Sequence, residues 1–336
     1  DKGTGEGEAS SLTVPWSAVW GSTARERAHE LTAGKRAIVL CWEEGGATVP
    51  LVFGAIGQRT DTALDTSFSL DSVTTLLSQR YVVREGDFRK GAPAISLDNL
   101  SLRATEGKPA GSLPIDWGDF YERGGHQRTF FPWNVSNLSA ADVLEKIANV
   151  EGGPDITFRP YMADAHHVRL RMVAGSDADP YVGQDSVRRL QWFHGAGSVH
   201  SLSVAHLGPV ERVYATGAGT EEEKDVALAE DLTYCRQRDP WPIVEECVSC
   251  TDSDDHSLLE GHARGRLRAD WWPLCQVTCT VDLADPQVPR IGEVWPGDAM
   301  TLAVEGFPTI PDGEYHVRLM EMSGDLGTLV TLKFDP

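Results

Sequence analysis

The segment from Arg290 to Pro336 constrains the fold more than any other, because its apolar residues recur at every second position. Tyr315, Val317 and Leu319 alternate with Glu314, His316 and Arg318, and a strand with that period has one buried and one solvated face. Three strands are expected here: Ala299–Val304, Glu314–Met322 and Thr328–Phe334. Pro311-Asp312-Gly313 and Gly324-Asp325-Leu326-Gly327 are the turns between them, and Gly292–Asp298 is the turn that positions the first. Such a run makes a small antiparallel barrel or sandwich, in which Tyr315, Val317 and Leu319 share a core with Val330 and Leu332. None of its residues has the pattern of a nucleophile or a metal ligand.

Upstream, strands and helices are mixed. Lys35–Trp42 and Thr48–Gly57 read as a hairpin across Glu43-Glu44-Gly45-Gly46, which Arg59–Leu70 continues. Asp71 is placed to cap a helix running to Arg80, with Val73, Leu76 and Leu77 on one face. Ser139 is the N-cap expected for Ala140–Asn149, and Gly152-Gly153-Pro154 ends that helix. Asp155–Pro160 pairs with His167–Val173, and Ser198–His206 with Val210–Ala215. Asp254 or Asp255 starts a helix through Asp270 whose inner face is Leu258, Leu259, His262, Ala263 and Leu267. Trp271-Trp272-Pro273 stops it and wedges it against the closing barrel, which Leu274–Leu283 enters as a first strand. Ala94–Glu106 is ambiguous, and Gly107–Thr129 is a long loop. A chain of 336 residues punctuated by 33 Gly and 19 Pro is therefore expected to be multi-domain and β-rich α+β.

Charge excludes one class of partner. With 50 Asp and Glu against 30 Lys and Arg the net charge is −20, the opposite of the clustered cations of a nucleic-acid-binding surface. Arg169 with Arg171, Arg188 with Arg189, and Arg264, Arg266 and Arg268 are interrupted by acids or apolar residues, so they read as ion pairs and solvated faces. No apolar run reaches the ~18–20 residues of a membrane helix.

Catalytic chemistry finds little support. There is no G-x-S-x-G, no H-E-x-x-H and no cysteine with an evident histidine partner. Gly217-Ala218-Gly219 follows a strand but precedes Glu221-Glu222-Glu223, whose charge repels phosphate. His194, His200 and His206 recur every six residues, and Asp164 precedes His166 and His167; packing or surface positions explain both without a metal. Cys247 and Cys250 followed by Cys275 and Cys279 resemble a four-thiolate zinc site in spacing, a disulfide is a second reading, and buried free thiols a third. No catalytic, cofactor-binding or metal-binding residue is assigned. Trp117, Tyr121 and Trp133, in and after the long loop, are the candidates for stacking on carbohydrate, although contact with another subunit is the favoured reading of this aromatic stretch.

The order of these segments resembles that of phage tail-tip hub proteins, the minor tail proteins of long non-contractile-tailed actinobacteriophages. The likeness lies in three runs: RAIVLCWEEGGATVPLVFGAIGQRTDTALDTSFSLDSVTTLLSQRYV, LSAADVLEKIANVEGGPDITFRPYM, and PDGEYHVRLMEM with the final TLVTLKF. The resemblance implies a multi-domain hub fold. It implies that residues 1–90 are a tube-like β domain, which in the family usually opens with an additional strand or two, 91–215 an inserted α+β region, 216–273 a linker and helix region, and 274–336 a second tube-like antiparallel β-barrel. It implies a structural role in the virion after assembly in the host cytoplasm. The subunit would be a homotrimer contacting the distal tail protein ring, the tape measure protein and other tip proteins, around a channel through which genomic DNA passes without specific binding. No cofactor is implied. The alternative is a carbohydrate-binding or cell-wall-degrading tip protein. Glu43, Glu44, Asp298, Glu305 and Asp325 are the acids nominated for the channel wall.

Overall fold

The computed structural model describes residues 10–84, 100, 102–118, 130–176, 178–185, 188–219, 224–251, 255–270 and 274–335. Its contacts divide the chain into two compact units, Asp1–Glu145 with Ile156–Val173, and Lys146–Asp155 with Ala174–Pro336.

The first unit opens with strand β1 (Ser10–Pro15), helix α1 (Ala24–Glu30), and strands β2 (Ala37–Glu44), β3 (Ala47–Asp61) and β4 (Asp65–Asp71). These strands form a sheet in the order β1-β4-β3-β2. The β2–β3 hairpin turns on Gly45 and Gly46, both at positive φ, where a glycine carries no Cβ penalty. Its register slips after Leu40, opposite Pro50, which has no N–H to give to the ladder. A second slip lies between Ile56 and Arg59, where a side chain at Gly57 would run into Ser69 and Asp71. Thr23 and Glu26 cap α1 reciprocally, each side chain accepting from the other's backbone N–H. Helix α2 (Val73–Ser78) is capped by Ser72 and not by Asp71, because Asp71 is still paired with Ala55 in the sheet.

A short β5 (Ile115–Asp116) pairs parallel with β7 (Val168–Ala174), and the sheet order is β5-β7-β6 with β6 at Ile156–Met162. Helix α3 (Ala140–Ala148) lies before β6 and starts as its sequence implies: Ser139 Oγ accepts from Asp142 N at 3.1 Å, and Asp142 accepts from Ser139 N at 3.1 Å. Leu102–Glu106, within the ambiguous stretch, is one turn of π-helix.

The second unit contains β8 (Arg189–Phe193), β9 (Val199–Leu207), β10 (Arg212–Thr216), β11 (Val226–Glu230), β12 (Glu245–Ser249), α4 (His256–Asp270), β13 (Leu274–Asp282), β14 (Ala299–Glu305), β15 (Gly313–Gly324) and β16 (Leu329–Asp335). Six strands form one sheet, ordered β8-β14-β15-β16-β13-β9. Its edges β8 and β9 are consecutive in sequence and approach each other, which curls the sheet into a half-barrel around one core. Leu190, Met300, Leu302, Val317, Leu319, Val330, Leu332 and Phe334 are buried there, with Tyr315 packed against them. The expected alternation on β15 is thus the observed one.

The expected pairing of 198–206 with 210–215 is not. β9 pairs with β13 instead, while β10 lies in a separate sheet ordered β11-β10-β12. The reason is what covers each strand: Leu202 and Val204 of β9 pack on the barrel core, whereas Val213 and Ala215 of β10 pack with Ala227 and Ala229 around Leu259, Ala263 and Leu267 of α4. Those three residues have the helical spacing read from the sequence, and Asp255 caps the helix by accepting from Ser257 N at 3.0 Å. Trp271, Trp272 and Pro273, the expected wedge, lie outside the described residues.

Candidate interaction surfaces

Three carboxylates of the second unit are buried among the described residues, Asp155, Asp298 and Glu211, and of these only Asp298 was picked out by sequence. Asp155 follows the helix-ending glycines, is 1% exposed, and pairs with Arg318 of β15. Its Oδ2 also accepts from Val182 N at 3.0 Å, while Arg318 Nε donates to Gly297 O at 3.1 Å and its guanidinium lies 5.3 Å over Tyr181. Arg318 is thus a clasp that joins the segments at 155, 181 and 297 to the barrel. Asp298 completes it: Oδ2 accepts from Trp295 N at 2.9 Å and the backbone carbonyl from Leu319 N at 2.9 Å. At 6% exposure it cannot line a channel, which corrects its nomination as a wall acid. A short carboxylate beside a turn reads as solvated in sequence; only the packing shows that it is enclosed.

Glu211, fully buried, holds the connection from β11 to β12. Its Oε2 accepts from Val244 N at 2.8 Å, its N–H donates to Val244 O at 3.0 Å, and its carbonyl accepts from Asp231 N at 2.9 Å. Burial, with the nearby Glu211 carboxylate adding to it, pushes the Cys235 thiol upward. The connection it anchors presents Trp241, Ile243 and Val244 to solvent, and the outer face of the neighbouring sheet presents Val226 and Leu228. Glu230, Arg212 and Glu245 form a charged row across that face, with Arg212 bonded to Glu230 at 2.8 Å and to Glu245 at 3.3 Å.

The other sequence candidates separate. Cys247 is exposed on β12 and Cys250 is buried just beyond it, while Cys275 and Cys279 lie on β13 in the barrel sheet. Burial pushes the Cys279 thiol up to about 12. Cysteines 41, 235, 247 and 279 are free thiols. Among the described residues no three His, Cys, Asp or Glu side chains converge as metal ligands would. Asp164 closes the β6–β7 turn: it accepts from His166 N at 2.8 Å, His167 N at 3.0 Å and the His167 ring at 2.8 Å. His200 and His206 sit exposed on β9, and His194 is exposed before it. Trp117 packs edge-on against Phe158 at 6.1 Å, so its ring serves the sheet; Tyr121 and the side chain of Trp133 lie outside the described residues. Glu43, Glu305 and Asp325 are exposed, and the Glu44 side chain is outside the description.

The arginine clusters are largely ion-paired, as their interruption by acids implies. Arg188 pairs with Glu293 at 3.1 Å, Arg189 with Glu314 at 2.7 Å, Arg264 with Glu260 at 2.7 Å and Arg266 with Glu246 at 2.8 Å. Arg171 lies 4.4 Å over Tyr161 and 3.9 Å from Asp116.

No family model matches the chain, and no curated protein does. Solved structures do. The 43 kDa tail protein of prophage MuSo2 from Shewanella oneidensis superposes with a TM-score of 0.53 and 11% identity, over 97% of this chain and 89% of that one. A tail protein from Neisseria meningitidis MC58 gives 0.48 at 14% identity, over 87% and 81% of the two chains. Prophage tail protein gp18 from Listeria monocytogenes EGD-e gives 0.45 at 10%, over 84% and 76%. The two-unit, β-rich α+β architecture assembled above is the fold of a phage tail protein.

Proposed function

We propose that the chain is a structural subunit of a phage tail tip, three copies of which form the hub ring that joins the tail tube to the tip and surrounds the DNA channel. The observation that carries this reading is the fold shared with a prophage tail protein along nearly the whole length of both chains. In this reading residues 1–90 and 274–336, the latter extended by β8 and β9, are two tube-like modules per subunit. Three subunits then offer six modules to a six-fold tail, with 91–215 as the inserted region and 216–273 as linker and helix. The role is structural rather than catalytic, the neighbours are the distal tail protein ring and the tape measure protein, and genomic DNA passes without specific binding. Closed rings need heterologous contacts that repeat without overlap. The test is the intact mass of purified tail tips together with an electron-microscopy class average locating this chain: three copies around one axis are expected, and one or six copies overturn the reading.

A further inference from the structure

We infer that Arg80, Arg84 and Lys108 of the first unit form a binding site for a phosphate group. Two short segments bring them together. Residues 80–82 leave α2 and lock onto the start of α3, with Val82 N donating to Leu138 O at 2.9 Å and Ala140 N to Arg80 O at 2.7 Å. The stretch that carries Lys108 is tied to this segment by Arg103, whose Nη1 donates to Val82 O at 3.2 Å. Its turn is closed: Lys108 N donates to Thr105 O at 3.1 Å, Gly111 N donates to Lys108 O at 3.0 Å, and a Cβ at Gly111 would lie 2.2 Å from Thr105 O. Ala110, at φ 51°, is the one non-glycine residue at positive φ among the described residues. Lys108 is therefore held by a fixed turn rather than a loose one.

The side chains on these segments crowd positive charge. Burial, and then the charges of Arg80 and Arg84, hold the Lys108 ammonium below its ordinary value. Arg80 and Lys108 are half-buried, and among the described residues no carboxylate lies within ion-pair distance of either. Glu106, the acid nearest Lys108 in sequence, is exposed and pairs with neither. Elsewhere the arginine clusters are closed by acids, as at Arg188, Arg189, Arg264 and Arg266. Cations crowded around a partly buried ammonium repel one another, and a bound anion turns that repulsion into attraction. Phosphate suits the cluster better than a carboxylate does. As a monoester it brings about −1.5 to −2 charge and three acceptor oxygens, which two guanidinium forks and an ammonium can share. The site stands apart from the ring reading, since copy number in the tail and anion binding are separate measurements.

The test is calorimetric titration of the full chain with inorganic phosphate, glycerol phosphate and acetate at one ionic strength. At least one of the two phosphates is expected to bind about tenfold more tightly than acetate, and the tighter of them names the source of the group. Its affinity should rise from about pH 5 to about pH 7.5, because the second phosphate proton leaves near pH ~6. Arg80→Gln and Lys108→Gln should each lose about tenfold. Arg25→Gln with Lys35→Gln, which neutralises two exposed cations elsewhere, should change little. A second measurement uses the unaltered chain: the phosphate should slow acylation of Lys108, resolved by mass spectrometry, and leave that of Lys35 unchanged. Equal binding of acetate, equal loss in the control, unchanged binding by both site variants, or no protection of Lys108 overturns the proposal.

Discussion

Leu319 and His316 lie on the same strand, and the difference between them is burial. Leu319 is fully enclosed by the barrel core and His316 is exposed. Leu319→Ala removes buried methyl groups and leaves a cavity, so it should lower unfolding stability by about 2–5 kcal/mol, against within about 0.5 kcal/mol for His316→Ala. Denaturant midpoints of the two variants check this. Asp155 and Arg318 test the clasp: Asp155→Ala strands a guanidinium in a mostly buried place and should cost about 3–5 kcal/mol, as should Arg318→Ala for the opposite charge. The double variant should cost much less than the sum of the two, the mark of a direct pair. A third residue-level outcome concerns pH. Burial, and then the neighbouring Glu211 carboxylate, raise the Cys235 thiol, so its thiolate forms at higher pH than that of a free cysteine. Glu211→Gln removes the negative neighbour and lowers that value, and the alkylation profile of Cys235 should move to lower pH. Site-resolved mass spectrometry reads this separately from the exposed Cys247; an unmoved profile refutes the coupling.

At the scale of the element, α4 shows how the same residue type serves two purposes. Gly261 and Gly265 are one turn apart, yet a Cβ at Gly261 meets nothing within 4 Å, whereas at Gly265 it lies 3.2 Å from the backbone of Val150 and Glu151. Gly261→Ala should therefore stabilise by about 0.5–1 kcal/mol, the ordinary helix preference for alanine. Gly265→Ala should not, because backbone rather than a movable side chain stands in its way. Thermal melts of the two variants decide it, and equal gains would mean that the 150–151 turn does not rest on α4. Helix α1 depends instead on its ends: Thr23→Ala removes the acceptor for Glu26 N and should cost about 1 kcal/mol.

For the whole molecule, charge is the property with the widest reach. If three subunits enclose the DNA channel, a basic wall would release counterions from phosphate and hold the duplex, whereas an acidic wall repels it weakly over a Debye length of about 8 Å. The ring reading therefore expects a net negative lumen, with arginines drawn into pairs or toward neighbouring subunits. Of the nominated acids Asp298 is enclosed, the Glu44 side chain lies outside the described residues, and Glu43, Glu305 and Asp325 are exposed and remain wall candidates. Tails carrying Glu43→Lys with Glu305→Lys should eject DNA more slowly, and the difference should shrink as salt rises. An unchanged rate across salt concentrations counts against the acidic wall.

Periodicity and most caps were local properties, and they were legible, although the α2 cap fell one residue from the expected Asp71, on Ser72. The two-residue alternation of Tyr315, Val317 and Leu319, the helical spacing of Leu259, Ala263 and Leu267, and the Ser139 cap each follow from side-chain direction along a single element, which a sequence carries in full. Which strand lies beside which was not: β9 and β10 have similar patterns and are separated by a few residues, yet one closes the barrel and the other covers a helix. Nor did the sequence distinguish Asp298, enclosed, from Asp325, exposed, since both are aspartates in glycine-bearing turns. Burial of a short polar side chain depends on what packs over its turn from distant parts of the chain, and for Asp298 that is Gly183, where any side chain would collide with it. The elements were written locally; the partners of the strands and the fate of the buried carboxylates were decided by long-range packing alone.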